Sequence, residues 1–281
     1  KPSVVVTYSA VASVVGDLVG DAANVRVLVP NGTDPHDFEP SAKDVESMSA
    51  SKMIVSNGLD LEEGLADALA EAEASGVPVF HIADHVTLRE AGDTAHADEE
   101  KAHANEEEAH AHDHGGEDPH VWLDPMTLAE AVPTLAQQLG AAIGVDLAAR
   151  AGDVVASLKT LDAELAAKIA GVESCVLITG HDSLGYFGAR YGCEVLGSVV
   201  PSFSTAAEAT AKNLSELKGL AKAEGVKAIF TELGTPADVA EQLADEVGVE
   251  VVEIATHLVP DGGGYDEMMR ALVEAIVLGL T

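Results

Sequence analysis

With 281 residues the chain is long enough for two domains of about 100 to 150 residues each. Its 47% apolar content excludes disorder throughout, and only 4% aromatic residues means that the cores are built from small aliphatic side chains on helices and strands. Forty-eight acidic against 15 basic residues give a formal charge of −33, which repels phosphate backbones and anionic headgroups and excludes nucleic acid as a partner.

In chain order, 3–8 reads as a β-branched strand, 9–20 as a helix ending at Gly20, and 25–30 as a second strand. The alternation continues with a helix over 41–50, a strand over 53–56, a helix over 61–75 and a strand over 78–81, with Gly76 and Pro78 marking the last turn. From 92 to 118 the apolar periodicity gives way to His, Ala and acidic residues, which predicts a mobile loop. Order resumes at His120, and a helix starts near Asp124-Pro125, with Asp as the cap and Pro in the first turn, and runs to about Ile143. A long helical pattern over 146–170 would reach nearly 40 Å at ~1.5 Å per residue, long enough for a rigid connector. Strands at 174–179, 194–199, 227–231 and 249–254 then alternate with helices at 183–191, 206–224, 236–247 and 265–279. The pattern predicts two α/β lobes, each a mainly parallel sheet flanked by helices, joined by one long helix.

Cys175 and Cys193, the only two cysteines, each begin a strand of the second half. A disulfide between neighbouring parallel strands and a pair of buried thiols fit equally well. No apolar run approaches the ~20 residues that span a bilayer. The first residue is Lys1 rather than Met, which fits a processed N-terminus and a removed export signal.

Three isolated histidines stand where strands run out into loops: His36 after Val25–Pro30, His120 in Asp-Pro-His-Val-Trp-Leu-Asp-Pro, and His181 after Cys175–Gly180. In an open α/β sheet the carboxyl ends of the strands are where ligands bind, so all three can face one cleft, and neutral imidazole suits Zn2+. One such histidine is more often an ordinary surface or core residue; agreement among three favours a metal site. A fourth ligand would come from Asp261, in a glycine-rich loop able to bend a carboxylate inward, with Asp266 and Glu267 better placed to serve a helix terminus. Glu232, at the end of the strand over 227–231, is either a partner that orients an imidazole or a charge at a helix N-terminus with no metal role. A second group, His96, His103, His110, His112 and His114, sits among acidic residues in the 92–118 loop and suits weak auxiliary metal capture; its bland reading is a solvated tract.

The Asp-Pro-His of 34–36, the Asp-Pro-His-Val-Trp-Leu-Asp-Pro of 118–125, the Gly-His-Asp-Ser-Leu-Gly-Tyr-Phe of 180–187 and the Tyr-Asp-Glu-Met-Met of 265–269 together resemble the zinc and manganese substrate-binding proteins of ABC transporters, the ZnuA-like cluster A-I group. The likeness extends over essentially the whole chain. It implies two pseudo-symmetric lobes, 1–145 and 172–281, around a rigid linker helix at 146–171. His36, His120 and His181 correspond to the first three metal ligands, and the fourth, acidic position falls within 261–266. Many relatives place that Asp nearer the tyrosine, at what is Gly263 here, so Asp261 must reach further, or else water or Glu232 completes the shell. The third ligand is commonly a carboxylate in manganese-type relatives; His181 favours zinc. The resemblance further implies a monomer in the periplasm, soluble or lipid-anchored, that delivers Zn2+ to a membrane permease, with a metallochaperone as a further candidate partner. A manganese or iron homologue is the nearer alternative. A zinc hydrolase is the remote one, because neither a His-Glu-x-x-His helix nor a nucleophile elbow is present.

Overall fold

A computed structural model describes residues 1–89, 116–232 and 234–281. Two four-stranded parallel sheets form the two lobes. The first contains β1 (Ser3–Val6), β2 (Asn24–Val27), β3 (Met53–Ser56) and β4 (Val79–His81) in the order β2-β1-β3-β4. The second contains β5 (Val176–His181), β6 (Glu194–Val200), β7 (Ala228–Thr231) and β8 (Glu250–Glu253) in the order β6-β5-β7-β8. Subtracting four from each number of the second order yields the first, which is the pseudo-symmetry the resemblance implied. In each sheet the strand order reverses between the first and third strands of the lobe, which run parallel, leaving a crevice at their carboxyl ends.

The helices among the described residues are α1 (Ser9–Val19), α2 (Ala42–Ser49), α3 (Ala66–Ala74), α4 (Pro125–Ile143), α5 (Ala148–Ile169), α6 (Gly185–Tyr191), α7 (Ala211–Glu224), α8 (Ala237–Val247) and α9 (Tyr265–Leu280). The Asp124 carboxylate accepts from Met126 N at 2.7 Å and Pro125 opens α4, as the sequence predicted. Two helices start later than their periodicity suggests. The segment at 206–210 stays irregular because Thr210 caps α7, accepting from Asn213 N at 3.1 Å. Ahead of α3, Gly58, Leu59 and Asp60 all adopt positive φ, and Glu62 is drawn inward to accept hydrogen bonds from Thr7 Oγ1 and Asn57 N.

α5 is the predicted long helix. It packs through Leu158, Leu161, Leu165 and Ile169 into an apolar core that continues from β1 and β3 to Leu177, Ala228 and Phe230 of the second sheet, with α9 covering it through Met269, Leu272, Val273 and Ile276. A smaller cluster, with Ile178, Val199 and Ile229, lies against α7 and α8. Because one close-packed core spans both lobes, large hinge opening would separate apolar surfaces.

Cys175 and Cys193 form a disulfide with Cα atoms 4.7 Å apart. The register explains it: Val176 lies opposite Glu194, so the two preceding residues face each other where β5 and β6 begin.

Candidate metal centre

The parallel register of β5 and β7 pairs Thr179 with Phe230. Two residues on, His181 and Glu232 stand side by side at the crevice of the second sheet. His36 arrives from the loop after β2 and His120 from the segment before α4. All three imidazoles are buried, at 7%, 1% and 2% exposure for His36, His120 and His181, and each offers one ring nitrogen such that these atoms lie within 4.8 Å of one another. A tetrahedral zinc with ~2.05 Å bonds would hold its nitrogens ~3.3 Å apart; His120 Nε2 and His181 Nε2 are 3.0 Å apart.

Carboxylates hold the rings. The two Asp-Pro-His tripeptides form the same turn: Asp34 Oδ1 accepts from His36 N at 3.0 Å, and Asp118 Oδ1 accepts from His120 N at 2.9 Å. Asp118 Oδ1 also lies 2.8 Å from His120 Nδ1, and Glu232 Oε1 lies 2.5 Å from His181 Nδ1. Glu232 further accepts from His181 N at 3.1 Å and Ser183 Oγ at 2.9 Å. With each Nδ1 turned to a carboxylate, the Nε2 lone pairs of His120 and His181 point at one another. Two lone pairs at that distance repel unless a proton or a metal cation lies between them.

The electrostatics favour neutral, donating imidazoles at His36 and His120. Burial, helped by the neighbouring His120 and His181, pulls His36 down to about 2. Burial also takes His120 well below its ordinary value, with His181 adding to the effect. At His181 burial acts the same way, but the Glu232 charge and hydrogen bond outweigh it and raise the imidazole. Burial likewise pushes the Glu232 carboxyl up, and His181 with the donated hydrogen bonds more than reverses this. Burial lifts Asp118 to about 7 against the hydrogen bond from His120 N.

Asp34 also joins the lobes. Its Oδ2 accepts from Thr205 Oγ1 at 2.7 Å, and a Cβ at Gly234 would collide with the same oxygen. A groove of about 800 Å³ leads to the cluster, lined in part by His36, Asp60, Glu63, Glu117, Asp182 and Phe203.

Asp261 does not join the histidines. Gly263 N donates to Pro260 O at 2.9 Å to close a turn, with Gly262 at φ +72°, and this turn carries Asp261 into solvent, where it is exposed. Asp266 lies 3.6 Å from Arg270 and Glu267 accepts from Gly264 N at 2.8 Å, both serving the start of α9. Glu232 is committed to orienting His181. His96, His103, His110, His112 and His114 lie outside the described residues. Sequence reasoning missed Asp34 and Asp118, although the repeated Asp-Pro-His was a usable signal. It also passed over His257, a buried histidine four residues beyond β8, which lies outside the group of His36, His120 and His181.

The fold and site define a two-lobed α/β protein with a buried imidazole cluster between parallel-sheet lobes. The chain belongs to the ZnuA family, described as zinc-uptake complex component A, periplasmic, which matches residues 4–279. It is similar to the zinc-binding protein AdcA of Streptococcus pyogenes, 29% identical over 279 residues that cover 96% of this chain and 52% of that protein; the chain thus spans about half the length of that curated relative. It is also 29% identical over 288 residues to the high-affinity zinc uptake system protein ZnuA of Bacillus subtilis, covering 98% of this chain and 86% of that one. Among solved structures, the periplasmic zinc-binding protein TroA of Treponema pallidum superposes with a TM-score of 0.82 at 26% identity, covering 100% of this chain and 99% of that one.

Proposed function

We propose that this chain binds one Zn2+ ion as cargo between His36, His120 and His181 and delivers it outside the cytoplasm to the membrane permease of an ABC-type importer. The observation that carries the reading is the convergence of three buried imidazoles, two of them with Nδ1 held by a carboxylate and Nε2 free to donate. Family membership and the zinc-binding names of the relatives support the cargo and the transport role. The acidic groove concentrates cations at the entrance. The Cys175–Cys193 disulfide suits an oxidising compartment, as does the periplasmic description of the family.

The lobes correspond to 1–145 and 172–281, with 146–171 as the rigid linker, and the core shared across α5 supports release by loop rearrangement rather than wide domain opening. The functional unit is a monomer, and a metallochaperone remains a candidate loading partner. A hydrolase reading is disfavoured because Asp34, Asp118 and Glu232, the carboxylates beside the imidazoles, are engaged in positioning them. Manganese or iron cargo is disfavoured by an imidazole-rich donor set.

Chelator-competition titration of the metal-free protein with zinc and, separately, manganese tests the proposal. One tight zinc equivalent with manganese poorly bound is expected; only weak, multiple zinc binding would overturn it.

A further inference from the structure

The first lobe keeps a buried polar network that the metal-binding reading leaves unused. Asn57 stands one residue beyond β3, as Glu232 stands one residue beyond β7, and β3 and β7 hold the same place in the two strand orders. Glu232 grips the His181 ring, whereas the fully buried Asn57 reaches the segment that carries His120. Its Nδ2 donates to Gly58 O at 2.9 Å and to Pro119 O at 2.8 Å, and its Oδ1 accepts from the Tyr8 hydroxyl at 2.9 Å. Carbonyl oxygens only accept, so the two of them leave the amide a single orientation. Pro119 O belongs to the peptide bond that enters His120.

The turn after Asn57 is strained and locked. Leu59 and Asp60 both take positive φ, +54° and +55°, where a Cβ crowds the backbone. Glu62, 4% exposed, holds the turn: it accepts from Asn57 N at 3.0 Å and from Thr7 Oγ1, just beyond β1. Backbone strain and a buried carboxylate concentrated in one short turn point to a functional position rather than a plain connection. Leu59, Asp60 and Pro119 line the groove beside His36. Asp118 Oδ1 fixes the His120 ring relative to its own tripeptide, and Asn57 fixes that tripeptide relative to the first sheet.

We propose that Asn57 is a positioning residue for the metal site: through the Pro119 carbonyl it sets where His120 Nε2 stands against His36 and His181, so that each lobe places a ligand from the residue just beyond its third strand. The inference rests on the metal-binding reading above and deepens it. Asn57 touches no metal and supplies no charge; it acts through His120. A binding constellation needs its donors within about 0.5 Å of the productive geometry, which an amide anchored at both ends can enforce.

The test sets zinc affinity of the full chain, by chelator competition, beside the ligand-field absorption of the Co2+-loaded protein and the urea stability of the metal-free form. Asn57→Asp keeps the size and the Tyr8 contact but turns an oxygen toward the Gly58 and Pro119 carbonyls. Asn57→Ser removes the reach without adding charge, and Tyr8→Phe frees only the Oδ1 end of the amide. The control is the Cys175→Ser, Cys193→Ser pair, which loses stability at the far end of β5. Both Asn57 variants should bind zinc one-to-one but at least about tenfold more weakly, with shifted Co2+ bands. Tyr8→Phe should shift the bands in the same direction and decides the matter if neither Asn57 variant folds. The control should lose stability with affinity and bands like the parent's. Parental affinity and bands in the folded Asn57 and Tyr8 variants would overturn the role of Asn57 and leave the three-histidine site standing. So would an equal loss of affinity in the control, which would reduce the effect to general stability. Failure of the parent to bind zinc tightly would overturn the metal-binding reading itself, and it is visible before any variant is made.

Discussion

Glu232 and His181 meet at 2.5 Å across the ends of two neighbouring strands, in the crevice where the second sheet reverses its winding. The carboxylate fixes which nitrogen of the ring donates, so its value lies in orientation rather than in ligation. Glu232→Gln keeps the shape and removes the charge. Zinc affinity should fall about 10- to 100-fold with stoichiometry unchanged, as read by chelator competition; an unchanged affinity would show that the ring is oriented by other contacts.

Direct loss of a donor should be more severe. His36→Ala or His181→Ala is expected to abolish tight one-to-one zinc binding, whereas deletion of residues 93–116 should leave that site largely intact and remove only weaker equivalents. Isothermal titration with zinc separates the two classes, and retained tight binding in either alanine variant would refute the assigned ligands.

Metal-free stability should depend on pH through His36. Its imidazole is lowered from 6.5 to about 2 in the folded protein, chiefly by burial. Between those values the unfolded chain binds more protons than the folded one, so this group makes stability rise with pH through the window, by up to about 1.4 kcal/mol per pH unit. His181, raised by Glu232, contributes in the opposite sense: its stabilisation is present below 6.5 and lost as pH rises through its folded value. Urea midpoints at pH 4.5, 5.5 and 7.5 should show a shallower acid loss for His36→Gln than for the parent; parallel profiles would contradict a neutral buried His36.

Trp122 is the only tryptophan, and its ring lies 5.4 Å from that of His120. Metal at the cluster should therefore change the intrinsic fluorescence, with the change complete at one zinc equivalent. A signal that keeps growing through several equivalents would place the tight site elsewhere.

The disulfide lies at the opposite end of β5 from His181. Replacing Cys175 and Cys193 together with Ser should lower unfolding stability by about 3 kcal/mol for a loop of 18 residues, while zinc affinity stays unchanged. Combined denaturation and titration checks this; a parallel loss of affinity would mean that strain reaches the strand end.

The alternation of apolar strands with amphipathic helices was enough to foresee two parallel-sheet lobes and the long helix α5, because periodicity and capping are local properties that read directly as burial. Three imidazoles at strand ends were legible for the same reason: strand, turn and histidine are contiguous. What surrounds them was not. The pairing of Cys175 with Cys193 depends on the β5–β6 register, and the meeting of His181 with Glu232 on that of β5 and β7. The outward turn of Asp261 follows from a bond between Gly263 and Pro260, and the inward position of His257 from Asn31 and Ser9, more than 200 residues away in the chain. Local sequence determined which elements form and which residues carry metal-binding chemistry. Only the tertiary structure decided which of those residues share one buried space, because that is settled by strand register and by hydrogen bonds between distant parts of the chain.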